Sequence, residues 1–221
     1  MLDFGVRTGY TLRAVRRTAD KKRKRRLMVM KMLEDKILQC GTVLPGNVLK
    51  VDSFLNHQLD VKLINELGKE LYNYFLNDNI TKILTVEASG IAIACAAAAN
   101  FDVPVVFAKK GHHENVGNDV YTAEVFSFTK KKSYTVAVSK RFLSADDNVL
   151  IVDDFLATGE ACFGLKKIVE EAGAKLAGVG IAVEKRFQGG GNTLRKEGVK
   201  LKSLAIIDSM TDDSIRFGVD D

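Results

Sequence analysis

Short apolar runs alternate with helical segments over most of the chain after Asn79. Five runs have strand length, namely KILTV, PVVFA, VLIV, LAGVGIAV and SLAII, and the segments between them include GIAIACAAAANF and GLKKIVEEAG. Apolar strands separated by helices are typical of a parallel sheet that is buried on both faces. The pattern therefore predicts an α/β fold with an open, mostly parallel sheet, flanking helices and right-handed crossovers.

Two helices are predicted before the first of these strands. The segment LEDKILQCG indicates a short helix from Met32, with Gly41 in the C-terminal stop position. A longer helix follows Asp60, which is a typical N-cap residue, and its apolar residues recur at three- and four-residue spacing. These residues are Ile64, Leu67, Leu71 and Phe75. The stretch VLKVDSFLNHQ between the two helices has no clear period.

One insertion breaks the alternation of strands and helices. VYTAEVFSF and SYTVAVS, between Val120 and Ser139, are rich in β-branched and aromatic residues and flank TKKK, which predicts an antiparallel hairpin. A polar loop with two glycines, from Lys109 to Asp119, precedes the hairpin. A long polar loop inside a compact domain is usually functional or disordered.

Charge divides the 221-residue chain into two unequal parts. Residues 1–29 contain ten Lys and Arg against two acids, whereas residues 30–221 contain 23 against 26. Like-charge repulsion in the run KKRKRR predicts a solvated, disordered leader, so the folded domain is expected at 30–221. Three origins of the leader stay open: an artefact of expression or upstream reading, a targeting extension, and a nucleic-acid-binding arm.

Composition disfavours several classes of function. No apolar run approaches the ~20 residues that a membrane span needs. The cysteines Cys40, Cys95 and Cys162 are odd in number and far apart, which predicts reduced thiols and a cytoplasmic protein. Three histidines and no paired cysteine spacing leave too few ligands for a dedicated zinc or iron site, so we expect any metal to be an oxygen-liking ion.

The segment VLIVDDFLATGEA, at residues 149–161, carries the clearest chemical signal. Four apolar residues precede Asp153 and Asp154, which a parallel sheet places at its carboxyl edge, where ligands bind. Ala157 to Ala161 then leads into a helix whose first amides suit a phosphate, and Gly159 permits close approach. Acids beside a phosphate are explained if they contact sugar hydroxyls or Mg²⁺. The segment therefore predicts a phosphorylated sugar as ligand.

The same segment resembles the signature of type I phosphoribosyltransferases, which use 5-phospho-α-D-ribose 1-diphosphate (PRPP). VLKVDSFLNHQLD, EASGIA, PVVFAKK and IAVEKRFQ are similar, in order and spacing, to the xanthine-transferring members of this family. The likeness covers about residues 30–221. It implies the type I phosphoribosyltransferase fold, with a hairpin insertion and a small hood for the base built from about 41–58 and 184–221.

For the sugar donor, the resemblance implies transfer of ribose 5-phosphate from PRPP to xanthine in purine salvage, with release of diphosphate. Asp153 and Asp154 are the expected catalytic pair and hold the ribose hydroxyls, and Mg²⁺ binds with PRPP, with either aspartate as a candidate ligand. The loop Gly111 to Asp119 is a candidate lid. The 5-phosphate is expected on the amides of Ala157, Thr158, Gly159, Glu160 and Ala161. The diphosphate is expected beside Glu87, Ala88, Ser89, Gly90, Lys109 and Lys110.

For the base, the resemblance implies contacts from Leu49, Asn56, Lys185 and Phe187. Lysine supplies only hydrogen-bond donors and asparagine supplies two, which suits the two oxygens of xanthine. Guanine and hypoxanthine stay open as alternatives because their six-oxygen also suits Lys185, whereas the amino group of adenine wants an acceptor.

The resemblance also implies a homodimer and leaves one rival from a different class. Purine repressors reuse the same domain as a PRPP sensor behind a DNA-binding winged helix. A winged helix needs roughly 60 to 80 residues with a core of its own, and only about 40 precede VLKVDSFL. We therefore expect an enzyme and no nucleic-acid partner, despite the basic leader.

Overall fold

The central feature of the fold is an eight-stranded sheet with the strand order β10-β9-β8-β7-β3-β4-β6-β5. The computed structural model describes residues 27–111, 119–127, 132–211 and 214–219. The strands are β1 (Thr42–Leu44), β2 (Val48–Lys50), β3 (Lys82–Val86), β4 (Val105–Lys110), β5 (Val120–Ser127), β6 (Lys132–Ser139), β7 (Asn148–Leu156), β8 (Lys175–Lys185), β9 (Leu201–Thr211) and β10 (Ser214–Phe217). Strands β9, β8, β7, β3 and β4 run parallel, and β1 pairs with β2 in a separate antiparallel ribbon.

Helices cover both faces of this sheet. Residues 27–40 form α1 within the described part of the chain. The others are α2 (Val61–Phe75), α3 (Gly90–Phe101), α4 (Glu160–Glu171) and α5 (Gly190–Lys196), with a π-helical turn at Asp52–Asn56 and 3₁₀ turns at Lys140–Phe142 and Arg186–Gln188. One apolar cluster joins α1, α2 and α3 to the sheet, and a second lies under α4 and the hairpin. None of the helices within the described ranges has both the length and the apolar character that crossing a bilayer requires.

Small residues determine how closely α2 packs. A Cβ added to Gly68 would lie 2.5 Å from the backbone of Ala96, and one added to Gly178 would lie 2.5 Å from the ring of Phe75. Real Cβ atoms do not approach this closely, so these glycines let α2 pack directly on the alanine-rich α3 and on β8. The apolar stripe expected for α2 is buried, and the Asp60 carboxylate accepts a hydrogen bond from the amide of Leu63 at 3.1 Å.

The predicted parallel strands and the predicted hairpin are confirmed. The hairpin pairs Val120 with Ser139 at one end and Ser127 with Lys132 at the other. The π-helical turn explains why VLKVDSFLNHQ shows no period, since it buries the consecutive residues Phe54 and Leu55 after a strand of only three residues. Most of the expected lid, residues 112–118, and most of TKKK lie outside the described residues.

The first helix differs from its prediction. It includes residues 27–31, so its described part begins five residues before Met32. Val29 is buried against the cluster that contains α2, because it continues the apolar face of Leu33 and Ile37 at four-residue spacing. The expected boundary between residues 29 and 30 therefore runs through a helix that belongs to the folded domain.

Candidate active site

Two adjacent carboxylates lie at the carboxyl edge of the sheet. Asp153 and Asp154 are close to the end of β7, between β3 and β8, and their exposed fractions are only 5% and 7%. The Asp153 carboxylate accepts a hydrogen bond from the amide of Asp154 at 2.9 Å. Burial, followed by the charge of Asp154, raises the pKa of Asp153 well above its usual range. A ligand that supplies hydroxyl donors or positive charge would stabilise the ionised pair.

The turn between β3 and α3 lies directly against this pair. A Cβ added to Gly90 would meet Asp153 Oδ1 at 2.6 Å and the Thr85 hydroxyl, so only glycine allows this approach. The Thr85 hydroxyl is buried and has no hydrogen-bond partner among the described residues. The amide of Lys110 donates to the Glu87 carboxylate at 2.7 Å, which connects the turn to the end of β4. Sequence reasoning did not single out Thr85, because a threonine inside a strand has no distinguishing signal.

The loop expected to hold the 5-phosphate, residues 157–161 and here called the phosphate loop, runs from the end of β7 into α4. Gly159 precedes the helix with φ of 93°, and the amide of Phe163 donates to its carbonyl at 2.8 Å. The amides in the first turn of α4 have no acceptor within the helix, and together with the helix dipole they attract an anion. A cavity of about 150 Å³ lies here, and its lining includes Thr158, Glu160 and, from the hairpin, Phe126 and Tyr134. The contribution of the hairpin was not anticipated, because it depends on how β5 and β6 fold over α4.

The neighbouring lysines of β4 lie on opposite faces of the sheet. The Lys110 ammonium lies 5.5 Å from the centre of the Tyr134 ring, and its charge acts on Asp153. Lys109 instead lines a cavity of about 580 Å³ together with Phe107 and Arg141. Alternation of side chains along a strand separates the two lysines. Lys110 is therefore the lysine on the side of the aspartates, and the expected contact of Lys109 with the donor stays a prediction.

A larger cavity of about 680 Å³ lies under the hood. Three of the four residues expected at the base, Leu49, Asn56 and Lys185, line it, although they are far apart in sequence. The cavity also shares Phe155, Ala157 and Thr158 with the smaller cavity at the phosphate loop. Its remaining lining residues are Pro45, Gly46, Asn47, Val48 and Gln188. The two cavities are therefore neighbouring compartments of one site.

The polar groups of the larger cavity are held by specific contacts. Lys185 donates to the backbone carbonyl of Asn47 at 2.8 Å and lies 5.4 Å from the centre of the Phe155 ring. Burial lowers the pKa of this lysine. The Asn56 amide donates to Asp154 at 3.4 Å, which connects the hood to the carboxylate pair. Asn47 and Phe155 were missed in the sequence, because a turn residue and an apolar strand residue both have ordinary structural explanations.

Phe187 differs from its expected partners. It lies in the 3₁₀ turn after β8, it is not part of the cavity lining, and its exposed fraction is 38%. The aromatic ring in the lining is that of Phe155. A stacking contact between Phe187 and a base therefore stays a prediction.

The donor set at the carboxylates fits magnesium better than a metal held by protein alone. No group of three or more His, Cys, Asp and Glu side chains converges within the described ranges. Asp153 and Asp154 supply hard oxygen atoms beside a phosphate loop, and Mg²⁺ is usually held by one or two carboxylates together with substrate oxygens and water.

Comparison with known proteins assigns the family. A model of the phosphoribosyl transferase domain matches residues 50–219, which include both aspartates, the loop from Ala157 to Ala161 and, from the larger cavity, Asn56 and Lys185. The chain belongs to this family. It is 58% identical over 188 residues to xanthine phosphoribosyltransferase of Ruminiclostridium cellulolyticum, which covers 85% of this chain and 99% of the relative. Xanthine phosphoribosyltransferase of Bifidobacterium adolescentis is 57% identical, with coverage of 82% and 94%.

Solved structures confirm the type I phosphoribosyltransferase fold. Adenine phosphoribosyltransferase of Giardia lamblia superimposes with a TM-score of 0.66 at 22% identity, covering 79% of this chain and 96% of that one. The enzyme of Rhodothermus marinus gives 0.65 at 20% identity, with coverage of 82% and 99%. The architecture is thus shared by phosphoribosyltransferases whose sequences differ at most positions.

Proposed function

We propose that this protein is a purine-salvage enzyme that transfers ribose 5-phosphate from PRPP to xanthine, giving xanthosine 5′-monophosphate and diphosphate. The observation that carries the proposal is the junction of the two cavities. A compartment lined by Asn56 and Lys185 opens at Ala157 and Thr158 onto the phosphate loop. A base in the first compartment and a 5-phosphate in the second would leave the ribose beside Asp153 and Asp154. The relatives at 57% and 58% identity are named xanthine phosphoribosyltransferase.

The donor is held by charge and by backbone amides in this proposal. Amides of Ala157 to Ala161 bind the 5-phosphate, and Asp153 and Asp154 accept hydrogen bonds from the ribose hydroxyls. The turn from Glu87 to Gly90 binds the diphosphate. Lys110 supplies countercharge from the side of the Tyr134 ring. Mg²⁺ bound with PRPP would neutralise the donor's negative charge, and Asp153 and Asp154 are the residues that would hold it.

The chemistry requires alignment and electrostatics rather than a protein nucleophile. Breaking the bond between C1 of the ribose and the diphosphate leaves positive charge on the sugar, and the two buried aspartates lie where that charge would develop. Holding the base and the sugar in neighbouring compartments replaces a chance encounter by a fixed geometry. The loop Gly111 to Asp119 is the proposed lid, which would exclude water that otherwise hydrolyses the donor.

Lys185 and Asn56 give the base pocket its preference. Both present hydrogen-bond donors to the cavity, and xanthine carries oxygens at its two- and six-positions. The Lys185 ammonium would also favour an anionic base, since a buried positive charge gains from a negative partner. Its hydrogen bond to the Asn47 carbonyl places the ammonium beside the turn at the hood. Leu49 and Phe155 provide apolar walls, and Phe187 is a further candidate for stacking.

We also propose a homodimer in the cytoplasm. Phe107 and Phe142 are exposed large apolar residues, and both line the 580 Å³ cavity on the face of the sheet away from Asp153. Exposed apolar patches of this kind often mark protein interfaces. Sedimentation equilibrium of the wild type and of Phe142→Glu tests the assignment, and a monomeric wild type would refute it.

Steady-state kinetics test the proposed reaction. We expect formation of xanthosine 5′-monophosphate from xanthine and PRPP, dependence on Mg²⁺, and lower kcat/KM with guanine and with hypoxanthine. Asp154→Asn should sharply reduce nucleotide formation with all three bases. Equal turnover of guanine and xanthine would refute the base assignment, whereas wild-type turnover by Asp154→Asn would refute the donor site.

A further inference from the structure

The short helix α5 touches the phosphate loop backbone to backbone. A Cβ added to Gly190 would lie 2.5 Å from the carbonyl carbon of Thr158 and 2.6 Å from both the oxygen of Ala157 and the nitrogen of Gly159. The amide of Gly190 donates to the Ala157 carbonyl at 3.1 Å. From the loop side, a Cβ on Gly159 would lie 3.3 Å from the Cα of Gly190. The loop and the helix are therefore in backbone contact, and a side chain at Gly190 would displace one from the other.

The other side of α5 is fixed to the sheet by an ion pair between a buried carboxylate and a partly exposed arginine. Arg195 donates from two nitrogens to the two oxygens of Glu184, both at 2.8 Å, and the Ser203 hydroxyl donates to the same carboxylate at 2.5 Å. Glu184 is completely buried, and these partners supply hydrogen bonds to both of its oxygens. Gly191 leaves room for this carboxylate, because a Cβ there would overlap Glu184 Oε1. The first turn of α5 is thus held between Glu184 and the phosphate loop.

We propose that α5, anchored by the Arg195–Glu184 pair, is a positioning element that keeps the phosphate loop in the shape that binds the 5-phosphate of the donor. Gly190 and Arg195 touch no substrate in this arrangement and act through the loop. The inference rests on the proposed function, since it concerns the same donor. It gives a role to Gly190 and Arg195, which no sequence motif pointed to.

The arrangement predicts a selective kinetic defect. The loop lies between the two substrate compartments, but Lys185 has its own hydrogen bond to Asn47, which does not involve α5. Displacing α5 should therefore weaken binding of the donor, which the loop amides hold, more than binding of the base, for which Ala157 and Thr158 form only part of the wall. A defect that merely destabilised the fold would lower the amount of active enzyme without separating the two KM values.

The test compares Gly190→Ala with Asn192→Ala, an exposed position of the same helix. We expect Gly190→Ala to raise the Kd of PRPP with Mg²⁺, measured by calorimetry, by about tenfold or more, since loss of even one hydrogen bond from a loop amide to the charged phosphate has an effect of this size. The KM of xanthine at saturating PRPP should stay within about twofold of wild type. Ribose 5-phosphate, which carries only the 5-phosphate, should stabilise the folded wild type but not the folded Gly190→Ala protein. Asn192→Ala should match wild type in all three measurements.

Arg195→Lys provides a second variant if Gly190→Ala does not fold. It keeps the positive charge beside Glu184 but loses the two-pronged contact, so we expect a smaller rise in the Kd of PRPP, about three- to tenfold, and an unchanged KM of xanthine. A folded Gly190→Ala or Arg195→Lys protein with wild-type affinity for PRPP would overturn this inference but not the proposed function. Failure of the wild type to bind PRPP would overturn the proposed function and this inference with it.

Discussion

The donor end and the base end of the candidate site are built in different ways. Thirteen consecutive residues, 149–161, supply the strand end, both aspartates and the phosphate loop. The base end takes its lining from a turn near residue 46, from Asn56, from the end of β7 and from Lys185. A contiguous site is fixed by local rules of strand, turn and helix, whereas the base pocket exists only when distant segments meet. The donor end should therefore fail through changes in backbone shape and the base end through changes in single side chains.

The largest effect is expected from backbone shape at the donor end. Gly159 and Gly173 flank the two ends of α4, and both have positive φ, of 93° and 70°. A Cβ on Gly159 would lie 2.7 Å from the Phe163 ring, whereas one on Gly173 would meet Ala145 at an ordinary 3.4 Å. We expect Gly159→Ala to weaken PRPP binding by about 100-fold, since displaced loop amides lose hydrogen bonds to the charged phosphate. Gly173→Ala should only cost about 1–2 kcal/mol of stability through its left-handed backbone.

Calorimetric titration of PRPP and thermal unfolding distinguish the two variants. Equal loss of PRPP affinity in Gly159→Ala and Gly173→Ala would mean that the effect comes from strain in α4 as a whole rather than from the phosphate loop.

A smaller and more selective effect is expected at the base end. Lys185→Ala removes a buried donor, and hydrogen bonds to charged groups are worth enough to raise the KM of xanthine by about 10- to 100-fold. The Kd of PRPP should stay within about twofold of wild type, because Lys185 is not part of the lining at the phosphate loop. Lys196→Ala is the control, because it removes the same charge from an exposed position of α5. A rise in the Kd of PRPP equal to the rise in the KM of xanthine would abolish the distinction between the two ends.

The smallest effect is a gain in stability on substitution of Asp153, a residue whose loss should lower activity. Burial and the charge of Asp154 raise the pKa of Asp153, so its ionised form destabilises the folded state above the unfolded pKa. Asp153→Asn should therefore stabilise the ligand-free protein by about 1 kcal/mol near neutral pH, a rise in Tm of about 2–4 °C. The gain should shrink as the pH falls toward the unfolded carboxyl pKa, because Asp153 is then protonated in both states.

Thermal unfolding near pH 7 and near pH 4, without Mg²⁺ or PRPP, measures this difference. Asp146→Asn, at an exposed position, makes the same change in net charge and should leave Tm nearly unchanged. A lower Tm for Asp153→Asn than for wild type at neutral pH would show that the charge of Asp153 is compensated in the free protein.

The donor end could be predicted from the sequence because its signals are local. An apolar strand, two acids and a glycine before an amphipathic helix bring the aspartates and the loop amides together by local rules, and the hairpin and α5 complete this end from distant parts of the chain. The base end was reached only through a resemblance, which identified Leu49, Asn56 and Lys185 in the lining but gave no reason to choose Asn47 or Phe155. Both Lys109 and Lys110 were expected beside the donor, and the sequence could not separate them, because the phase of a strand cannot be read from KK alone and one position decides the face. The contact between α5 and the phosphate loop depends on Gly159 and Gly190, and in the sequence these glycines cannot be told from those of an ordinary turn.

The most direct test is a calorimetric titration of PRPP with Mg²⁺ into the wild type and into Asp154→Asn, with no base present. The proposed function predicts one donor site per chain in the wild type and at least about tenfold weaker binding in Asp154→Asn, since the ribose hydroxyls lose a charged acceptor. Absence of heat in the wild type, or equal affinity in the two proteins, would contradict the assignment of the donor to the aspartate pair and the phosphate loop.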